Sequence, residues 1–158
     1  MKSLGVYLHI PFCIRKCNYC DFCSFPDRSG ERMYEYTEEL IRRMRVFAAE
    51  HSDYRVDTVY FGGGTPTLLP SECFGAIMSA LYECFEVAEG AEISVECNPA
   101  TIDREGLASL RALGINRLSI GLQSANENEL KALTAERDIE DLYKVIFMEK
   151  EVGKEFDA

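Results

Sequence analysis

Residues 7–23 read YLHIPFCIRKCNYCDFC and hold four of the seven cysteines of the chain. Cys13, Cys17 and Cys20 follow a C-x3-C-x2-C spacing, and Cys23 adds a second x2 step. Thiols this close together, in a chain without a secretion signal, indicate an iron–sulfur cluster or a zinc ion rather than a disulfide framework. Three thiolates can hold three corners of a 4Fe–4S cluster and leave the fourth iron open, whereas structural zinc would also need Cys23. The spacing leaves both alternatives open.

The composition describes an acidic protein of one domain. The chain has 158 residues and a formal net charge of −10, without a basic cluster, which argues against nucleic acid as a partner. The apolar start is short and ends at Pro11, and no apolar run approaches the length of a membrane span. We therefore expect no membrane span and a cytoplasmic location.

Strand patterns and helix patterns alternate four times along the chain, with short connections. The strands are predicted at residues 4–10, 56–61, 92–97 and 116–120, and the helices at residues 32–50, 71–85, 101–113 and from Ser124 onwards. We expect Gly114 to cap the third helix, and Ser124 with Glu127 to form a capping box for the fourth. This order predicts an α/β fold with about four parallel βα units and right-handed crossovers.

Four unusual loops follow the predicted strands, at the end of a parallel sheet where chemistry is usually found. They are the cysteine-rich stretch, the glycine turn at residues 62–67, residues 96–99 and residues 121–123. Three successive glycines let the backbone approach a ligand closely and expose amide N–H groups. A carboxylate such as Glu96, at a strand end, suits hydrogen bonds from hydroxyls or an ammonium group. We expect these loops to form a single functional site.

The opening stretch resembles radical S-adenosylmethionine (SAM) proteins. More narrowly, it resembles the family of HemW heme chaperones and oxygen-independent coproporphyrinogen III oxidases. Three further motifs resemble this family in the same order: GGGTP at residues 62–66, VECNP at 95–99 and RLSIGLQS at 117–124. The resemblance implies a partial (β/α) radical SAM barrel. It also implies that Cys13, Cys17 and Cys20 ligate a 4Fe–4S cluster and that SAM chelates the fourth iron.

The resemblance also implies the residues of a SAM site and the reaction. The residues are Tyr7, Tyr19, Gly63, Gly64, Thr65, Glu96 and Gln123. In active members of the family, the reduced cluster cleaves SAM to a 5′-deoxyadenosyl radical. His9 of the opening motif is interpreted as stabilising the cluster loop.

The fourth cysteine of the family's oxidases is missing here, which favours a HemW-like role. Those oxidases carry it two residues after the third cysteine, where this chain has Phe22. Cys23 lies one residue beyond that position. We therefore interpret Cys23 as a small loop side chain and expect heme handling, with heme or a porphyrin as a further ligand. Two alternatives remain: an oxygen-independent coproporphyrinogen III oxidase, and a catalytically inactive metal-binding module.

The resemblance by motif ends at Leu133. The family continues Leu-Gly-Arg-x-His, whereas this chain reads LTAER at residues 133–137. We interpret residues 1–133 as the N-terminal part of a radical SAM core and residues 134–158 as a divergent, charged helical tail. Four units leave the fourth strand as an open edge, so we expect marginal stability and self-association through that edge.

Overall fold

The computed structural model describes residues 1–27 and 29–133, so the predicted helical tail lies outside the described residues. The strands are β1 (Lys2–Ile10), β2 (Phe12–Cys13), β3 (Phe25–Pro26), β4 (Tyr54–Gly63), β5 (Glu86–Cys97) and β6 (Arg117–Ile120). The helices are α1 (Glu31–Glu50), α2 (Ser71–Cys84), α3 (Arg104–Ala112) and α4 (Glu127–Leu133), with single 3-10 turns at Pro66–Leu68 and Pro99–Thr101. None of these helices is long and apolar enough to cross a bilayer.

The four long strands form one parallel sheet in the order β1-β4-β5-β6. The predicted α/β fold with four parallel units is therefore confirmed. The strand β5 begins earlier than the predicted residue 92, because residues 86 and 87 also pair with β4. The pairing then skips several residues around Gly90, which has φ +79°, and resumes at Glu92. A short parallel pair, β2 with β3, was not predicted, since two residues per strand carry no detectable period.

The helices cover one face of the sheet and build the core there. Alternate residues of β4, among them Val59 and Phe61, are buried, and the Phe61 ring lies 5.1 Å from the Phe74 ring of α2. Truncating either of these phenylalanines to alanine would cost about 3–5 kcal/mol. The residues of β4 that alternate with these buried ones point to the opposite face of the sheet. On that face Tyr7 of β1 is 56% exposed. This second face is polar and open, and it carries part of the candidate site.

The two predicted caps have different outcomes. Gly114 ends α3 as expected, with φ +96° and its N–H donating to Arg111 O at 3.0 Å. The capping box of Ser124 with Glu127 is wrong. Asn126 caps α4 instead, because its Oδ1 accepts from the N–H of Asn128 at 2.9 Å. Asn126 directly precedes the first helical residue and reaches the free N–H groups of the first turn, which Ser124 does not.

Candidate functional site

One cleft of about 380 Å³ lies at the carboxyl ends of the four parallel strands. It is lined by the cysteine-rich stretch, the glycine turn, the end of β5 with the turn that follows it, and the end of β6 with the residues beyond. Among its lining residues are Cys13, Cys17, Tyr19, Cys20, Gly63, Gly64, Thr65, Glu96 and Gln123. The structure thus brings every predicted site residue except Tyr7 into one cleft.

The cysteine loop, defined as residues 11–27, leaves the end of β1 and returns beside its own start. The N–H of Phe25 donates to Pro11 O at 2.7 Å, and the N–H of Asp27 donates to Cys13 O at 3.0 Å. These bonds form the small β2–β3 pair. They close the loop at its base, so that residues 14–24 project over the cleft.

The first three cysteines of the loop differ from the fourth in where they lie. All seven cysteines of the chain are free thiols; Cys13 is buried, Cys17 and Cys20 are half-buried, and Cys23 is exposed. The first three line the cleft and Cys23 does not. In residues 1–27 and 29–133, no three Cys, His, Asp or Glu side chains are gathered around a point for one metal ion. The described residues therefore preform no single-metal site, neither one with four thiolates nor one with three.

His9 ties the cysteine loop to β1. Its Nε2 lies 2.9 Å from Cys23 O and its Nδ1 lies 3.1 Å from the hydroxyl of Tyr7. Because a carbonyl only accepts, Nε2 donates to Cys23, and in the neutral ring Nδ1 accepts from Tyr7. The hydroxyl of Tyr36 donates to the backbone carbonyl of His9. These contacts agree with the interpretation of His9 as a residue that stabilises the loop.

The glycine turn is packed directly against the first cysteine. A Cβ on Gly64 would lie 2.5 Å from Phe12 O and 3.0 Å from Cys13 Sγ, and a Cβ on Gly63 would lie 2.6 Å from the His9 ring. Gly63 also has φ +118°, a conformation that favours glycine. The glycines therefore serve close approach between the turn and the cysteine loop.

The amides of Gly63, Gly64 and Thr65 are not free for a ligand, which corrects the expectation of exposed N–H groups at these positions. The N–H of Gly63 donates to Glu96 Oε2 at 3.0 Å, that of Gly64 to Ile10 O at 2.8 Å, and that of Thr65 to Phe12 O at 2.7 Å. The turn follows β4 alongside β1, so the neighbouring strand and loop satisfy its donors, as buried amides require.

The buried hydroxyl of Thr65 points to the first cysteine. Thr65 Oγ1 lies 3.7 Å from Cys13 Sγ, within the range of a hydrogen bond to sulfur. A donor placed here stabilises negative charge on the sulfur. The structure therefore adds a contact to the cysteine loop beyond the predicted role of Thr65 toward SAM.

Glu96 is held by two donors from β4. The hydroxyl of Tyr60 donates to Oε1 at 3.0 Å, and the N–H of Gly63 donates to Oε2 at the same distance. Burial raises the pKa of the Tyr60 phenol above its ordinary value, and the nearby Glu96 carboxylate adds to this effect. The phenol therefore remains a donor at neutral pH. Tyr60 was missed by sequence reasoning, because a strand aromatic carries no motif of its own.

Tyr7, Tyr19 and Gln123 lie in different surroundings. Tyr7 stands on the open face of β1, and its ring stacks on Tyr60 with a centroid distance of 6.1 Å. Burial, with the charge of Glu96 second, raises the pKa of Tyr7. Tyr19 is 48% exposed at the mouth of the cleft, and Gln123 adopts a left-handed conformation with φ 63° after β6. Tyr7 thus belongs to the sheet face beside the cleft, and the other two belong to its rim.

Comparison with known proteins identifies the family. The family model described as "Radical SAM superfamily" matches residues 7–156. The chain belongs to the radical SAM superfamily. The matched range extends beyond Leu133, into residues whose structure is not described.

Curated relatives of this radical SAM chain carry two names. It is 30% identical to the heme chaperone HemW of Buchnera aphidicola subsp. Schizaphis graminum, over 99% of this chain and 42% of the relative. It is 35% identical to the heme chaperone HemW of Escherichia coli, over 84% of this chain and 35% of the relative. It is 33% identical to the oxygen-independent coproporphyrinogen III oxidase of E. coli, over 96% of this chain and 33% of the relative.

A solved structure gives the same answer for the fold. The E. coli coproporphyrinogen III oxidase HemN, a radical SAM enzyme, superposes with a TM-score of 0.89 at 32% identity. The match covers 96% of this chain and 35% of that one. The partial barrel is therefore confirmed. The radical SAM chain spans about two fifths or less of the length of the relatives it matches.

Radical SAM proteins bind a 4Fe–4S cluster and SAM, and the residues of the cleft fit both groups. Three free thiols and no competing disulfide suit an iron–sulfur cluster, which thiolates hold. Gly63 and Gly64 let the turn pack directly against the cysteine loop, so that Cys13 lies beside the glycine turn at the wall of the cleft. The volume of the cleft is in the range of small-molecule sites, and the carboxylate of Glu96 is a ready acceptor for hydroxyl or ammonium groups.

Proposed function

We propose that this chain is the cluster- and SAM-binding part of a HemW-like radical SAM protein that handles heme. The observation that carries the proposal is the shared cleft. Three thiols with C-x3-C-x2-C spacing line it together with the glycine turn and Glu96, and Cys23 lies outside it. The relatives named heme chaperone HemW support the heme-handling part.

Each part of the cleft has a role in this proposal. Cys13, Cys17 and Cys20 would hold the cluster and leave one iron for the amino and carboxylate groups of SAM. When bound and reduced, the cluster supplies the electron that cleaves SAM. Glu96 would accept hydrogen bonds from SAM with the lone pairs that Tyr60 and Gly63 leave free. Burial of Cys13 keeps water away from one side of the site.

The second candidate function is that of an oxygen-independent coproporphyrinogen III oxidase. It is favoured by the superposition on HemN and by a sequence identity close to that of the HemW relatives. Phe22 argues for the HemW-like role, because the oxidases of the family have a cysteine at this position. Its ring is 67% exposed and lines the cleft.

The test separates the two functions with one preparation. The chain is reconstituted anaerobically with iron and sulfide, then incubated with SAM, a reductant and either heme or coproporphyrinogen III. We expect a brown protein that forms 5′-deoxyadenosine and binds heme, seen as a shifted heme absorption band. Consumption of coproporphyrinogen III would favour the oxidase. A colourless chain that binds one zinc ion through four thiolates would contradict the proposal and support an inactive metal-binding module.

A further inference from the structure

Tyr60 lies outside the recognised motifs, yet its side chain connects two of them. It stands on β4, two residues before Gly62, and its hydroxyl donates to Glu96 Oε1 on β5 at 3.0 Å. The N–H of Gly63 donates to the other carboxylate oxygen, also at 3.0 Å. Two donors from one strand therefore fix the plane of the carboxylate, rather than only its distance from the sheet.

Gly62 makes the position of Tyr60 possible. A Cβ at Gly62 would lie 2.9 Å from Tyr60 Cε1, closer than real contacts allow, and 3.0 Å from Tyr7 Cε2, which is tighter than most real contacts. Without that Cβ, the two tyrosine rings stack across β1 and β4, with their planes 17° apart. The stacked pair restricts the Tyr60 ring and directs its hydroxyl to Glu96.

A third strand joins this arrangement through Ser119. Ser119 faces Glu96 across the β5–β6 pair, and its side chain lies close enough to Tyr60 to lower the pKa of the phenol against the effect of burial. Tyr60 thus lies beside side chains at the ends of β5 and β6. Both Ser119 and Glu96 line the cleft, whereas Tyr60 is not among the lining residues. Any influence of Tyr60 on a ligand in the cleft therefore passes through these neighbours.

We infer that Tyr60 is a positioning residue for SAM, which holds the Glu96 carboxylate in the orientation that receives the ligand. The inference rests on the proposed function, because it requires SAM in this cleft. A carboxylate has about four acceptor sites, so two remain for SAM after Tyr60 and Gly63 are bound. A side chain that is already fixed loses less conformational freedom on binding, which strengthens the affinity for the ligand.

The test is a double-mutant cycle on the affinity for SAM, measured by calorimetry with the cluster-loaded chain. The proteins are the wild type, Tyr60→Phe, Glu96→Ala and the double variant. Alanine is chosen at position 96 because its side chain cannot accept a hydrogen bond from the phenol of Tyr60. We expect Tyr60→Phe to weaken SAM binding about fivefold in the wild type and less than about twofold in the Glu96→Ala background. Circular dichroism verifies that each variant folds.

The chain offers a matched control. The hydroxyl of Tyr34 on α1 donates to the carboxylate of Glu72 on α2, a bond of the same kind on the helical side of the sheet. Tyr34→Phe removes it and should leave the affinity for SAM unchanged.

Two results would overturn the inference. One is equal affinity in the wild type and Tyr60→Phe. The other is a fivefold loss that persists in the Glu96→Ala background, because Tyr60 would then act without Glu96. A cluster-loaded wild type that does not bind SAM would overturn the proposed function, and the inference with it. That failure is visible before any variant is compared.

Discussion

The two walls of the cleft are built in different ways. The sheet wall, defined as residues 63–65 with Glu96, stands at the ends of the paired strands β4 and β5, and three of its amides donate to neighbouring groups at 2.7–3.0 Å. The cysteine loop is closed at its base, and its outer part is held mainly through isolated contacts. These include Lys16 Nζ to Phe22 O at 3.0 Å, His9 Nε2 to Cys23 O, and one turn between Cys17 and Cys20.

This difference indicates that the stability of the cysteine loop depends on a bound ligand, whereas that of the sheet wall does not. Backbone pairing and burial hold the sheet wall independently of what the cleft contains. The loop exposes apolar side chains, such as Phe22 and Phe25, and residues 14–24 belong to no strand or helix, so we expect its local stability to be lower than that of the sheet wall. Metal or cluster binding then adds folding energy to the loop. Removing a thiol from the loop should therefore change what is bound, whereas adding bulk at a glycine of the sheet wall should change whether the chain folds.

The largest effect is expected from removing a cluster thiol. Alanine at Cys13, Cys17 or Cys20 should abolish incorporation of iron and sulfide on anaerobic reconstitution, because three thiolates are the minimum for the proposed site. Cys23→Ala is the matched control from the same loop and should retain wild-type iron content. The measurement is iron and acid-labile sulfide per chain. Loss of the cluster in Cys23→Ala would show that the exposed thiol is a ligand.

The next effect tests the sheet wall. Gly64→Ala places a methyl group 2.5 Å from Phe12 O, a backbone atom that cannot turn aside, and should destabilise the chain by about 2 kcal/mol. Gly75→Ala, in α2, meets only Leu113 Cδ2 at 3.7 Å and should stabilise by about 0.5–1 kcal/mol. Urea unfolding measures both. Equal midpoints for Gly64→Ala and the wild type would mean that the sheet wall adapts as freely as a loop.

The sequence predicts the alternation of strands and helices, the parallel sheet and the cleft, but not the contacts across strands. The helical and strand periods, together with the position of the glycine turn and of Glu96 at strand ends, are sufficient to place these groups at one edge. The bond from Tyr60 to Glu96 depends on the register between β4 and β5, which shifts near Asp57 and Gly90. No spacing along the chain encodes such a shift.

The same limit explains the amides of the glycine turn. Three glycines indicate close approach, and the structure places Gly64 against Phe12 and Cys13. Whether their N–H groups serve a ligand or the protein depends on the path of the chain after Ile10. The carbonyl groups of Ile10 and Phe12 accept hydrogen bonds from the amides of Gly64 and Thr65. Nothing in the sequence around Pro11 indicates that these carbonyls turn toward the glycine turn.

A smaller effect is expected where the two walls touch. Thr65→Val keeps the shape of the buried side chain and removes the hydroxyl that donates to Cys13 Sγ. A donor to a cluster sulfur stabilises the reduced, more negative state, so its loss should lower the reduction potential by roughly 20–40 mV, the one-electron equivalent of about 0.5–1 kcal/mol. Thr65→Ser keeps the hydroxyl and should keep the potential. A redox titration followed by electron paramagnetic resonance measures it, and equal potentials for Val and Ser would contradict the bond.

The smallest effect is expected on the outer surface of α1, away from both walls. Glu39 accepts hydrogen bonds from Arg42 and Arg43 at 2.7 Å, and these arginines lower its pKa from 4.5 to about 2. Because the folded pKa lies below the unfolded one, the stabilisation is complete above pH 4.5 and is lost as the pH falls to about 2. The urea midpoint of Glu39→Gln should therefore fall slightly below that of the wild type at neutral pH and converge with it in acid.

Glu38→Gln removes the same charge without these bonds and is the control for Glu39→Gln. Neither variant should change the iron content after reconstitution, since this helix surface contacts neither wall of the cleft. Loss of the cluster in Glu39→Gln would show that the cysteine loop depends on α1. The loop would then be supported by that helix as well as by its ligand.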